Sequence, residues 1–117
     1  VLNTSGYKKN LSGGWELLMG DKCEDGHQLR PHIVWFGEDV PNLPVAAQIV
    51  SESDAVIIVG TSLNVYPAAS LIDYVQPNTP IYYIDPKPAI GSGGMITVIA
   101  KSATEGMKEL RQILKTV

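Results

Sequence analysis

The run "AVIIVGTSLNVYPAASL", residues 55–71, decides the fold. Five apolar residues, Ala55 to Val59, lead into Gly60-Thr61-Ser62, and Asn64-Val65-Tyr66-Pro67 then opens an alanine-bearing segment. An apolar run without polar alternation predicts a central parallel strand covered on both faces. Proline suits a first helical position, so Pro67 predicts a helix with Ala68, Leu71, Ile72 and Val75 on one face and Pro77 just past its end.

The flanking segments repeat this alternation. "HIVWF" (32–36), ended by Gly37, reads as a strand. Pro44 then starts a helical stretch with Ala46, Ile49 and Val50 recurring at helical spacing up to Ser53. "IYYI" (81–84) and "MITVI" (95–99) read as two further strands, separated by the Pro- and Gly-rich loop "DPKPAIGSGG". Ser102 and Glu105 have capping-box spacing, and Met107, Leu110 and Leu114 form the stripe of a last helix. Strands alternating with helices predict an α/β class with a doubly wound parallel sheet, and the handedness of parallel crossovers leaves few topologies. Residues 1–28, rich in Gly, Ser, Asn and charge, read as a loop-rich lead-in with at most one short edge strand, which leaves 29–117 as the folded half-domain.

Composition narrows the function. The chain has 117 residues, 44% apolar and 18% charged, enough for one core and unlike a disordered segment. Nine basic against twelve acidic residues give a net charge of −3 with no basic cluster, which argues against nucleic-acid binding. No apolar run approaches the ~20 residues of a membrane-spanning helix. The single cysteine, Cys23, rules out an internal disulfide framework and suits a reducing cytoplasm, the expected location. The chain opens on Val1 without methionine, so we expect either a piece cut from something longer or a chain whose leader was removed.

In an open parallel sheet, ligands bind beyond the carboxyl ends of the strands. Gly60-Thr61-Ser62 stands at one such end. Glycine admits close backbone approach, and hydroxyls and amides can satisfy phosphate or ribose oxygens. Asp85 closes "IYYID" at the matching position, where a carboxylate can accept from ribose hydroxyls. Taken singly, Gly60 is better explained as a strand stop and Asp85 as the start of a turn with Pro86. Together they favour a nucleotide site, although neither GxGxxG nor GxxxxGK[ST] is present to specify the ligand class.

"LRPHIVWFGEDVP", "VGTSLNVYPAASLI" and "IYYIDPKP", in this order, resemble the C-terminal half of a sirtuin, the family of NAD-dependent protein-lysine deacylases. The resemblance covers about residues 27–116 and is to the bacterial branch. It implies the C-terminal half of a Rossmann-like doubly wound sheet. It also implies that Gly60, Thr61 and Ser62 hold NAD, with Ser62 near the nicotinamide ribose and phosphates. Asp85, Pro86 and Lys87 would read the adenine ribose, and Ala103 would lie against the adenine. Residues Val34 to Glu38, including Gly37, would run as a strand along an acyl-lysine peptide. Val34 and Phe36 would line the tunnel for the lysine stem, and Val65 would close it. Plain core packing is the competing account of Val34, Phe36 and Val65, and the preferred one for Trp35.

Two sets of family features are missing, the N-terminal catalytic motifs and the zinc cysteines. The Gly-Ala-Gly-Ile-Ser loop, the Asn-Ile-Asp motif and the catalytic histidine of sirtuins do not occur; His32 lies at a non-catalytic position, and His27 reads as a solvated loop residue. No catalytic residue is therefore assigned in this chain. Most sirtuins also carry two Cys-x-x-Cys pairs, whereas this chain has Cys23 alone, so we expect no zinc and a lead-in held by Trp15 and Leu17. The expected function is the C-terminal portion of a sirtuin deacylase, inactive alone. The alternative is a non-enzymatic half-domain that binds a nucleotide or assembles with itself. Either way, an exposed half-sheet should promote self-association.

Overall fold

The computed structural model describes Leu2–Asn3 and residues 17–116. Two compact units divide the chain, Val1–Asp39 and Val40–Val117. Residues 29–39 belong to the first of these units.

In the first unit, β1 (Leu2–Asn3) pairs antiparallel with β2 (Leu29–Arg30), Leu2 opposite Arg30. Two tight turns precede β2. The Asp21 amide donates to the Leu18 carbonyl (3.1 Å) and the Gly26 amide to that of Cys23 (2.9 Å). The Gln28 side chain stitches this segment together. Its Oε1 accepts from the Gly20 amide at 2.8 Å, and its Nε2 donates to the carbonyls of Asp21 (3.1 Å) and Leu29 (2.9 Å). Cys23 and Leu29 are buried and Leu17 is half-buried; Trp15 lies outside the described residues.

The strand expected over 32–36 does not form. Strand propensity at Ile33, Val34, Trp35 and Phe36 needs a partner ladder to be realised, and among the described residues this segment joins none. Local bonds shape it instead: the Ile33 amide donates to Pro31 (2.9 Å) and the Glu38 amide to Trp35 (3.1 Å).

The second unit begins with α1 (Leu43–Ser51), which has Asn42 at its N-cap and Pro44 in its first turn. Ala47 is buried, whereas Ile49, expected on the apolar stripe, faces solvent. Next comes β3 (Val56–Val59), then a 3-10 helix over Ala68–Tyr74 that packs with α1. The sequence predicts this helix but not its tighter winding, nor that Pro67 stands at the cap rather than inside. The Ser70 hydroxyl donates back to the Pro67 carbonyl (2.7 Å), and the Val75 amide closes onto Ile72, three residues back.

Two more parallel strands, β4 (Ile81–Ile84) and β5 (Ile96–Ile99), complete a sheet of order β3-β4-β5. This is the predicted α/β class. Among the described residues, however, the middle strand is β4, and the 55–59 run lies beside it. All four β4 residues are buried because β4 is paired on both sides, while β3 alternates, with Ile57 45% and Val59 39% exposed. An uninterrupted apolar run does not reveal which strand lies in the middle.

The last helix, α2 (Ala103–Thr116), follows Ser102 and carries Glu105 in its first turn. Its inward face is Gly106, Leu110 and Ile113; Met107 and Leu114 of the expected stripe are exposed. Gly106 sets this rotation, since its missing side chain lets the helix rest directly on Ile84. Tyr82, Ile84, Ile99 and Leu110 form the core, with Ile113 packed against it. Complete burial of a side chain such as Ile84 or Leu110 contributes about 1.5–3 kcal/mol.

Candidate functional site

The carboxyl ends of the three parallel strands are in register, Val59 opposite Ile84 and Ile84 opposite Ile99. Beyond them the ladder continues by one bond on each side. The Gly60 amide donates to the Ile84 carbonyl at 3.0 Å, and the Asp85 amide donates to the Ile99 carbonyl at 3.3 Å. Gly60, Asp85 and the Ala100–Ser102 approach to α2 therefore leave the sheet along one edge. A single extended ligand needs that juxtaposition.

Each exit loop is shaped locally. Gly60 takes φ +62°, a left-handed conformation that turns the chain out of the strand. Leu63 also has positive φ (+56°), uncommon for a branched residue, and its amide donates to Thr61 Oγ1 at 3.2 Å. After β4, Asp85 Oδ1 accepts from the Lys87 amide at 2.7 Å, a turn that fixes the carboxylate. Thr61 and Asp85 are half-buried, while Ser62, Pro86, Lys87 and Ala103 are exposed. Hydroxyls, a fixed carboxylate and the amides at the start of α2 form a donor and acceptor set suited to a ribose and its phosphates.

An apolar groove of about 440 Å³ runs beside β3 and is lined by Val59, Thr61, Leu63, Val65, Ala69 and Ile72, among others. It brings together Thr61, expected at the cofactor, and Val65, expected at the lysine stem. A larger groove of about 700 Å³ between Ile57 and α2 contains none of the expected site residues.

The remaining expected residues, Val34, Phe36, Gly37 and Glu38, belong to the first unit. Glu38 organises their loop. Both of its carboxylate oxygens accept from Arg30 Nη2 at 3.1 Å, and Oε2 also accepts from the Trp35 amide at 3.0 Å. The Trp35 amide, with a smaller contribution from Arg30, holds the Glu38 carboxyl below its ordinary range. Arg30 Nη1 adds a bond to the Ile33 carbonyl (3.2 Å). The closed loop, with Gly37 at φ +87°, leaves Val34 and Trp35 exposed and Phe36 91% exposed. Arg30 has no local sequence signature of this role; only the folded loop shows its carboxylate partner.

The Sir2 family model matches residues 5–67, more than half of the chain.

The chain belongs to the Sir2 family.

This Sir2-family chain is 52% identical, over 101 residues, to an NAD-dependent protein deacylase of Bacteroides thetaiotaomicron; the match covers 86% of the chain and 43% of that relative. A deacylase of Helicobacter pylori is 54% identical over 80 residues, covering 67% of the chain and 34% of the relative. Among solved structures, the crystal structure of a Sir2 homolog–NAD complex matches with TM-score 0.76 and 33% identity, over 98% of the chain and 47% of the other. The Sir2-family chain thus spans less than half the length of these relatives. Its parallel sheet is the Rossmann-like α/β arrangement that the resemblance implied.

Proposed function

We propose that this chain carries part of the NAD pocket and one wall of the acyl-lysine groove of an NAD-dependent protein-lysine deacylase. The observation that carries the reading is the side-by-side exit of Gly60 and Asp85 from adjacent parallel strands. Gly60, Thr61 and Ser62 would receive the nicotinamide ribose and phosphates. Asp85, Pro86 and Lys87 would take the adenine ribose, and Ala103 the adenine. NAD, when bound, supplies the ribose carbon that accepts the acyl group. This chain's own residues bind and orient: Val34 and Phe36 around the lysine stem, Gly37 and Glu38 along the peptide backbone, and Val65 at the tunnel wall. The protein partner is an acyl-lysine protein or peptide. No part of the reading calls for zinc, nucleic acid or a membrane, and a cytoplasmic location suits a chain with one cysteine.

Neither His27 nor His32 is given the role of general base, so the 117-residue chain alone should bind but not turn over. Calorimetric titration with ADP-ribose and NAD tests binding, and incubation with NAD and an acetyl-lysine peptide tests turnover. Saturable binding without nicotinamide release is expected; nicotinamide release by the chain alone would overturn the assignment of roles.

A second reading, a non-enzymatic half-domain that assembles with itself, is favoured by the exposure of Ile57 and Val59 on β3. Light scattering that finds a dimer together with no affinity for either nucleotide would favour it.

A further inference from the structure

We propose that Tyr83 is a positioning residue of the nucleotide site, whose buried hydroxyl braces the loop after β3 against the loop after β4. The proposal rests on the nucleotide reading above and extends it to a residue that never meets the ligand.

Tyr83 lies in the middle of β4, its backbone opposite Ile58 on one side and Val98 on the other, and it is completely buried. A tyrosine in that position needs partners for its hydroxyl, since a buried unsatisfied hydroxyl is costly. Both partners lie in the exit loops. The hydroxyl donates to the Thr61 carbonyl at 2.8 Å, and it accepts from the Ala89 amide at 3.2 Å. Thr61 directly follows Gly60, and Ala89 directly follows the Asp85-Pro86-Lys87-Pro88 turn. The bond from Gly60 to Ile84 joins the two strands at the sheet edge; the phenol carries that connection out into the loops. Its single proton and a lone pair are both engaged, so the spacing between the two loops is set by a rigid ring anchored in the core. Tyr82, the adjacent residue, contributes to the core cluster with Ile84, Ile99 and Leu110 instead. Identical chemistry at neighbouring positions thus provides an internal control.

The test uses the 117-residue chain and three measurements. ADP-ribose affinity is compared for the unmodified chain, Tyr83→Phe and Tyr82→Phe, at a temperature where all three are folded. We expect Tyr83→Phe to bind about tenfold more weakly and Tyr82→Phe within about twofold of the unmodified chain. A general loss of packing would weaken both variants alike, and that result overturns the proposal. Equal binding by the unmodified chain and Tyr83→Phe also overturns it while leaving the nucleotide reading intact. An unmodified chain that binds no ADP-ribose overturns the nucleotide reading and the positioning role with it. Should Tyr83→Phe fail to fold, amide hydrogen exchange in the unmodified chain decides: protection of Ala89 supports the brace, and free exchange of that amide overturns it.

Discussion

The amide of Gly60 donates to the carbonyl of Ile84 across 3.0 Å, so the turn after β3 and Asp85, the next residue of the neighbouring strand, leave the sheet together. Parallel register makes this arrangement possible. Strands running the same way place their carboxyl ends on the same edge, and every loop that follows them shares one rim.

Asp85 on that rim should matter for binding more than for folding. Its Oδ1 shapes the turn through the Lys87 amide, and the proposed function makes the carboxylate the acceptor for ribose. Asp85→Ala is expected to lower ADP-ribose affinity about tenfold with a small change in melting temperature. Calorimetry and thermal melts on one preparation check both, and unchanged affinity would remove Asp85 from the site.

Gly106 is a stability prediction independent of function. A Cβ there would run into Cγ2 of Ile84, a stiff β-branched side chain with no exposed surface, so α2 would have to move. Gly106→Ala should cost about 1–3 kcal/mol in urea unfolding. Combining it with Ile84→Ala should cost less than the sum of the two single changes, because the second removes the obstructing group.

Glu38 makes the 30–38 loop sensitive to acid. Its carboxyl is held below the ordinary range by the Trp35 amide and by Arg30, so the closed loop keeps its full advantage above the usual carboxylate value and loses it as pH falls through the lowered one. In a Trp15→Phe background, Trp35 fluorescence should report loop opening with a midpoint below that of an ordinary glutamate. Glu38→Gln should abolish the transition; a transition that persists unchanged would mean that another group controls the loop.

Self-association is expected through β3, which among the described residues pairs with β4 alone and carries Ile57 and Val59 exposed. Ile57→Lys should lower the weight-average mass in sedimentation equilibrium at micromolar protein. A purely monomeric unmodified chain would remove this expectation.

Local signals were the legible part of the sequence. "IYYI" and "MITVI" formed strands where β-branched and aromatic residues were concentrated, and the last helix began after Ser102 as its capping spacing indicated. Gly60 and Asp85 were legible as strand ends because glycine readily turns a chain out of a strand and the proline after Asp85 has no amide to donate to a ladder. "HIVWF" misled because propensity describes one chain segment, whereas a strand is a property of two. Arg30 and Tyr83 had no local signature, since their partners, Glu38 and the Thr61–Ala89 pair, are defined only after folding.

The amino-acid order by itself determined the class of the fold, the strand ends where a ligand could lie and the family motif. These depend on side-chain period, turn chemistry and short-range spacing, which act within a few residues. Tertiary structure alone decided that β4 rather than β3 is the middle strand among the described residues, that Gly106 rather than Met107 faces the sheet, and that one buried phenol joins two loops. Those outcomes depend on which surfaces meet, and burial is settled by neighbours far along the chain.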